Sequence, residues 1–207
     1  MNFNNLISEI AILAPPFLLA LTAHEYSHGL VAYRLGDPTA SNQGRLTMNP
    51  LKHLDPLGVL AFIIMKIGWA KPIPIDARYF KNPQQGLLWV SLAGVGANFL
   101  LAAASGIAVK LLLLLSGLLP GFFFWPLIQM TAASVWINLM LGVFNLLPIP
   151  PLDGSKLVLS LLPAGLAGKY QRLEPFGFII LLLLFYTGIL SKILLPIITF
   201  AQSLIIR

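Results

Sequence analysis

The sequence predicts an all-α polytopic membrane protein, and three observations carry that expectation. The chain of 207 residues is 57% hydrophobic and 10% charged, with a mean hydropathy of +0.85. Soluble domains carry about 25% charged residues. The apolar residues fall in runs that reach the about 20 residues a helix needs to cross a bilayer. The expected architecture is a three-span core plus a C-terminal hydrophobic segment. A small membrane-associated β-hairpin or extended region follows the first span, and residues 1–207 form one domain.

The elements follow in order. The first apolar helix is expected over residues 6–35, with Pro15 and Pro16 kinking it and Gly36-Asp37-Pro38 ending it. Residues 37–56 are polar and rich in turn formers, and Gly44–Met48 reads as a strand or hairpin. Residues 57–69 are apolar but short for a crossing, which fits a re-entrant or interfacial piece. Lys71-Pro72-Ile73-Pro74-Ile75-Asp76 should be extended, because each proline keeps its predecessor out of helix. A second span is expected over 85–115 and a third over 122–147, stopped by Pro148. A short helix over 154–162 and a polar connection over 165–172 come next. Residues 176–206 exceed one untilted crossing, and Gly188, Ser191-Lys192 and Pro196 are candidate points of division.

Net charge is +6, but the basic residues lie between apolar runs. They read as topology determinants, which argues against nucleic acid as a partner. Seven lysines and arginines lie from Arg34 to Lys81 and three from Lys156 to Arg172. With three full spans these two segments share a side, so the positive-inside rule places both in the cytoplasm and the N-terminus outside. No basic stretch precedes the first apolar run, so no cleavable signal peptide is expected. The chain has no cysteine, which excludes disulfides, thiolate metal sites and a cysteine nucleophile.

Chemistry concentrates in His24-Glu25-Tyr26-Ser27-His28, inside the first apolar run. Two imidazoles four residues apart lie about 40° apart around a helix, one turn up the same face. Both nitrogens can then reach one tetrahedral Zn²⁺, with the intervening glutamate as general base toward the hydrolytic water. Ionisable groups at such depth are costly, which favours a functional reading. A catalytic zinc site needs a third protein ligand. The candidate is Asp153, after Asn145-Leu146-Leu147-Pro148-Ile149-Pro150-Pro151-Leu152 and before Gly154. The alternative for Asp153 is an N-cap on the following short helix.

These motifs resemble the site-2 protease family of zinc intramembrane metalloproteases, peptidase family M50. The resemblance rests on His24–Gly29, Asn49–Gly58, Trp69–Ile75, Ala93–Asn98 and Asn145–Gly154. One departure is Val95, where the family usually has proline after Ala93-Gly94. The chain looks like a minimal member without PDZ or CBS domains. The resemblance implies one Zn²⁺ per chain held by His24, His28 and Asp153, and Glu25 as catalytic base. Asn145 could donate to the developing oxyanion or make a helix–helix hydrogen bond. Asn98 invites the same two readings, with helix packing favoured by the small residues around it. His53 reads as a solvated or turn histidine rather than a fourth ligand.

The implied function is hydrolysis of transmembrane protein substrates near the cytoplasmic side of the cell membrane. The partners are then a substrate helix and the lipid bilayer, with oligomeric state open. Substrate helices must be unwound, and the extended pieces at Gly44–Met48 and Lys71–Ile75 could offer a strand edge. Two other classes compete: a membrane metal or ion transporter, and a catalytically inactive scaffold. A transporter usually spreads its polar groups along a pathway over several spans.

Overall fold

A computed structural model of the chain describes residues 3–59, 70–117 and 120–206. In chain order the helices are α1 (Phe3–Arg34), α2 (Thr39–Asn42), α3 (Pro83–Leu115), α4 (Gly121–Asn145), α5 (Asp153–Leu161), α6 (Ala164–Gln171), α7 (Glu174–Tyr186) and α8 (Ile189–Ile206). Single 3₁₀ turns occur at Pro50–Lys52 and Ala77–Tyr79, and residues 56–59 are also helical. The α1 helix continues through Pro15 and Pro16. The start of α3 is set locally: Pro83 occupies its first turn, where a missing N–H costs nothing, and the Asn82 side chain accepts from the Gln85 amide at 3.2 Å.

Among the described residues, four helical segments are long and apolar enough to cross a membrane: Ile7–Arg34, Pro83–Leu115, Phe124–Asn145 and Ile189–Ile206. The α3 and α4 helices share the most extensive interface, α1 packs on both, and α8 closes against α4 and α3. A cluster of Ala102, Val135, Leu139, Leu190, Leu194 and Ile198 joins α3, α4 and α8. A second cluster of Ala32, Phe80 and Val90 fastens α1 and the segment after the 77–79 turn to α3. Large apolar side chains such as Leu100, Leu114, Phe122 and Phe200 stay exposed. Lipid rather than water is their natural surrounding, since hydrocarbon tails are as apolar as leucine.

Three expectations need correction. Gly44–Met48 forms turns and bends, not a strand, and the described residues contain one isolated antiparallel bridge, Leu54 with Ala70, in place of a hairpin. Local hydrogen bonds explain this: the Asn42, Gln43, Gly44 and Arg45 amides all bond within residues 38–41, which coils the segment. The connection over 165–172 is mostly helical, as α6. The C-terminal stretch divides at Gly188 alone, and α8 passes through Lys192 and Pro196. Residues 70–76 are extended up to the 3₁₀ turn, as their prolines require. The expected re-entrant piece at 57–69 lies mostly outside the described residues.

The packing of α8 makes the first test. Leu139 is 2% exposed between α3 and α8. Leu139→Ala should destabilise the protein by about 2–5 kcal/mol, the usual cost of such a truncation in a packed core. This should be read as a lower midpoint of thermal unfolding in detergent micelles. An unchanged midpoint would contradict the packing of α8 on the core.

Candidate metal centre

Residues at three successive turns of α3 receive the histidine face of α1. His28 and His24 are one turn apart on α1; Val90, Gly94 and Asn98 are one turn apart on α3. The His28 Nδ1 lies 2.7 Å from the Val90 carbonyl oxygen, and the His24 Nδ1 lies 2.7 Å from the Asn98 Oδ1. Gly94 sits between them, and a Cβ there would overlap the His28 ring and come within 2.9 Å of the His24 Cε1. The glycine is therefore a requirement of the close approach.

The proton positions follow from the acceptors. Val90 contributes a carbonyl, so the His28 Nδ1 must carry the hydrogen and donate. The Asn98 Nδ2 donates to the Ala20 carbonyl at 3.2 Å and to the Asn138 Oδ1 at 3.0 Å. That orientation leaves the Asn98 Oδ1 to accept, so the His24 Nδ1 donates as well. Asn138 is held in turn by its Nδ2, which donates to the Ser134 carbonyl at 2.9 Å. With the hydrogen on Nδ1, each imidazole in its neutral form presents its Nε2 lone pair on the opposite side.

Those lone pairs meet Asp153. The Asp153 Oδ2 lies 3.2 Å from the His24 Nε2 and 3.0 Å from the His28 Nε2, and the two Nε2 atoms are 3.0 Å apart. Asp153 is the first residue of α5, after an extended Leu152, and its side chain makes no capping bond, which removes the N-cap reading. The tight approach of α5 to the end of α4 depends on Gly154: a Cβ there would collide with the Leu146 and Leu147 carbonyl oxygens. The Lys156 ammonium, 3.3 Å from the Asp153 Oδ1, favours the ionised carboxylate.

Zinc fits this donor set. Three acceptor atoms face one another with all three residues buried, and the Asp153 Oδ2 has no hydrogen-bond partner among the described residues. Such a triangle of lone pairs is repulsive without a cation. Its edges of 3.0–3.2 Å approach the about 3.3 Å separation of neighbouring ligands in a tetrahedron with bonds near 2.0 Å. Two nitrogens and one carboxylate oxygen are also ordinary zinc ligands.

Glu25 follows His24 and is half-buried. Its Oε2 accepts from the Ile73 amide at 2.8 Å, which ties the extended 70–76 segment to α1. That segment is secured along its length. The Lys71 amide donates to the His53 carbonyl at 2.9 Å, Arg45 donates to the Lys71 and Pro72 carbonyls, and the Asp76 amide donates to Asp37 at 2.8 Å. With Pro72 and Pro74 lacking donors, little of this edge is left for strand pairing.

Asn145 and His53 lie apart from the three converging ligand atoms. The Asn145 Nδ2 donates to the Leu141 carbonyl one turn back, at 3.0 Å. His53 is a turn histidine, and it is fully buried rather than solvated; its Nε2 donates to the Thr47 carbonyl at 2.8 Å. Asn138 was not anticipated, although an amide in the middle of an apolar span is itself a signal. The Val90 carbonyl could not have been anticipated, because a backbone acceptor leaves no mark in sequence.

Comparison with known proteins agrees with this geometry. The profile of peptidase family M50 matches residues 121–188, a stretch that contains Asp153. A Bacillus subtilis protein named "Putative zinc metalloprotease YwhC" is 38% identical over 211 residues, spanning 97% of this chain and 92% of that protein. The chain belongs to peptidase family M50. It is a metalloprotease of the site-2 protease family and an integral, multi-pass membrane protein. Proteins named "Putative zinc metalloprotease Rip2" are also similar. The one from Mycolicibacterium smegmatis is 31% identical over 85% of this chain and 67% of its own length, and the one from Mycobacterium tuberculosis H37Rv is 32% identical over 84% and 66%. No solved structure matches the chain.

The hydrogen bonds behind the imidazoles supply a test within this M50 protease. Asn98→Ala removes the acceptor of the His24 Nδ1–H and should weaken zinc affinity about 10- to 100-fold, the usual effect of losing such support. Gly94→Val should abolish stoichiometric zinc. Competition with a chelator measures both. Wild-type affinity in both variants would contradict the arrangement.

Proposed function

We propose that the chain is a zinc-dependent intramembrane endopeptidase of the HExxH type, with residues 1–207 acting as one membrane domain. The observation that carries the reading is the convergence of the His24 and His28 Nε2 atoms and the Asp153 Oδ2, both rings being held from behind. His24, His28 and Asp153 hold one zinc ion, leaving a position open to the reaction. When bound, zinc supplies Lewis-acid activation of water and of the scissile carbonyl. Glu25 takes the proton from the attacking water and passes it to the leaving amine. One oxygen of Glu25 is engaged with the Ile73 amide and the other is available for the proton. The Asn145 amide has a second N–H beyond its bond to Leu141, and it remains the candidate donor to the oxyanion.

The substrate is a transmembrane helix cut near the cytoplasmic side. Supporting this, the histidines lie in a segment long and apolar enough to span, and Asp153 follows closely on the end of another. The charge distribution puts the 34–86 and 148–175 segments in the cytoplasm. A transporter is disfavoured, because the metal-binding groups form one closed cluster with no chain of further sites among the described residues.

Hydrolysis of a transmembrane substrate by purified protein in proteoliposomes tests the assignment. Glu25→Gln should keep zinc and lose about 10²- to 10⁴-fold in rate, the typical contribution of a positioned acid–base group. Asp153→Ala and His28→Ala should lose zinc and activity together. Near-normal turnover by Glu25→Gln would refute the role of Glu25. For orientation, single cysteines at Gln43 and Lys81 should react with an impermeant thiol reagent only from the cytoplasmic face. Labelling of both from outside would reverse the proposed topology.

A further inference from the structure

Arg45 is an unusual side chain for its place. It is 8% exposed and lies in the polar connection after α1, and no carboxylate pairs with it among the described residues. A buried guanidinium without a counter-ion is expensive, so its contacts call for an explanation. Its Nε has no partner among the described residues, and its Nη2 donates to the Lys71 carbonyl at 2.9 Å and the Pro72 carbonyl at 3.3 Å.

The second of those bonds bears on the chemistry. The Pro72 carbonyl and the Ile73 N–H belong to one peptide group. Arg45 therefore holds the oxygen end of the same rigid plane whose N–H end donates to the Glu25 Oε2 at 2.8 Å. A cation at the oxygen end and a carboxylate at the hydrogen end both align with the dipole of the peptide. Chains of hydrogen bonds polarised in this way strengthen one another. The prolines on either side of Ile73 stiffen the segment and leave its N–H the donor that Glu25 meets. The Ile73 side chain is buried against Gly29 of α1.

We propose that Arg45 is a positioning residue for Glu25, acting through the Pro72–Ile73 peptide. It does not touch substrate or metal. It fixes one carboxylate oxygen so that the other is held toward the reacting water. The inference rests on Glu25 being the general base, as proposed above. A misplacement of about 1 Å in a catalytic group can cost about 10²-fold in rate.

The experiment compares the wild type with Arg45→Ala, Arg45→Lys and Glu25→Gln, measuring zinc content, kcat and KM on one transmembrane substrate. Arg45→Ala should keep full zinc and an unchanged KM while kcat falls about 10- to 100-fold. Millimolar guanidinium should restore part of that kcat in Arg45→Ala and none in Glu25→Gln. If Arg45→Ala fails to accumulate, Arg45→Lys serves in its place, with a smaller loss confined to kcat. Loss of zinc, a rise in KM with kcat intact, unchanged kcat, or a kcat loss that guanidinium leaves untouched would each overturn the proposal. An active Glu25→Gln would instead bring down the assignment of Glu25 itself, so the two failures are distinguishable.

Discussion

The Asn98 amide joins three long helices at one point, and the site depends on what that amide donates and accepts. Its two N–H groups go to the Ala20 carbonyl on α1 and to Asn138 on α4, and its oxygen receives the His24 Nδ1–H. Within a bilayer no water replaces a missing partner, so each of these bonds constrains the others. A single interhelical hydrogen bond in such a bundle contributes only about 0.6 kcal/mol on average. Its value here is register. Sliding α1 by one turn along α3 would break both histidine bonds at once and drive an imidazole off Gly94. The bonds that orient the rings thus also set how the spans pack.

Asp153 reaches this place by a different route. Its position depends on the chain leaving α4 through proline-bearing turns over residues 146–152 and re-entering helix at Asp153, with Gly154 pressed against the Leu146 and Leu147 carbonyls. The α5 helix then packs along α3, the same helix that supports both histidines. Three elements far apart in sequence therefore meet on one surface. The polar segment between α1 and α3 is organised by the same economy of partners. Asp37, buried, accepts from the amides of Thr39 and Asp76 and from the Thr39 hydroxyl, and Arg45 serves the carbonyls of Lys71 and Pro72. Among the described residues, the partners of these two buried charges are mostly backbone groups.

Much of this was legible in sequence because lipid imposes simple rules. Long apolar runs required spans, Pro148 stopped α4 within three residues of its observed end, and the prolines at 72 and 74 forced an extended piece. The i,i+4 spacing of His24 and His28 put them on one face, and Asp153 was the acid whose surroundings fitted a third ligand. What stayed hidden was tertiary. A strand at Gly44–Met48 failed because local amide bonds coil the segment, which alternation of side chains does not report. His53 was read as a solvated or turn histidine; it does lie in a turn, yet the fold buries it through backbone bonds with residues 47 and 71. Asn98 was read as packing, and it does pack. That its oxygen also fixes the tautomer of His24 needed the third dimension.

X-ray absorption at the zinc edge of the purified wild-type protein reads the ligand set itself. A site built from His24, His28 and Asp153 should show one zinc per chain with only nitrogen and oxygen neighbours near 2.0–2.2 Å and the outer-shell signature of two imidazoles. Tightly bound zinc with three or more imidazoles, with one, or no stoichiometric zinc in active protein would contradict it.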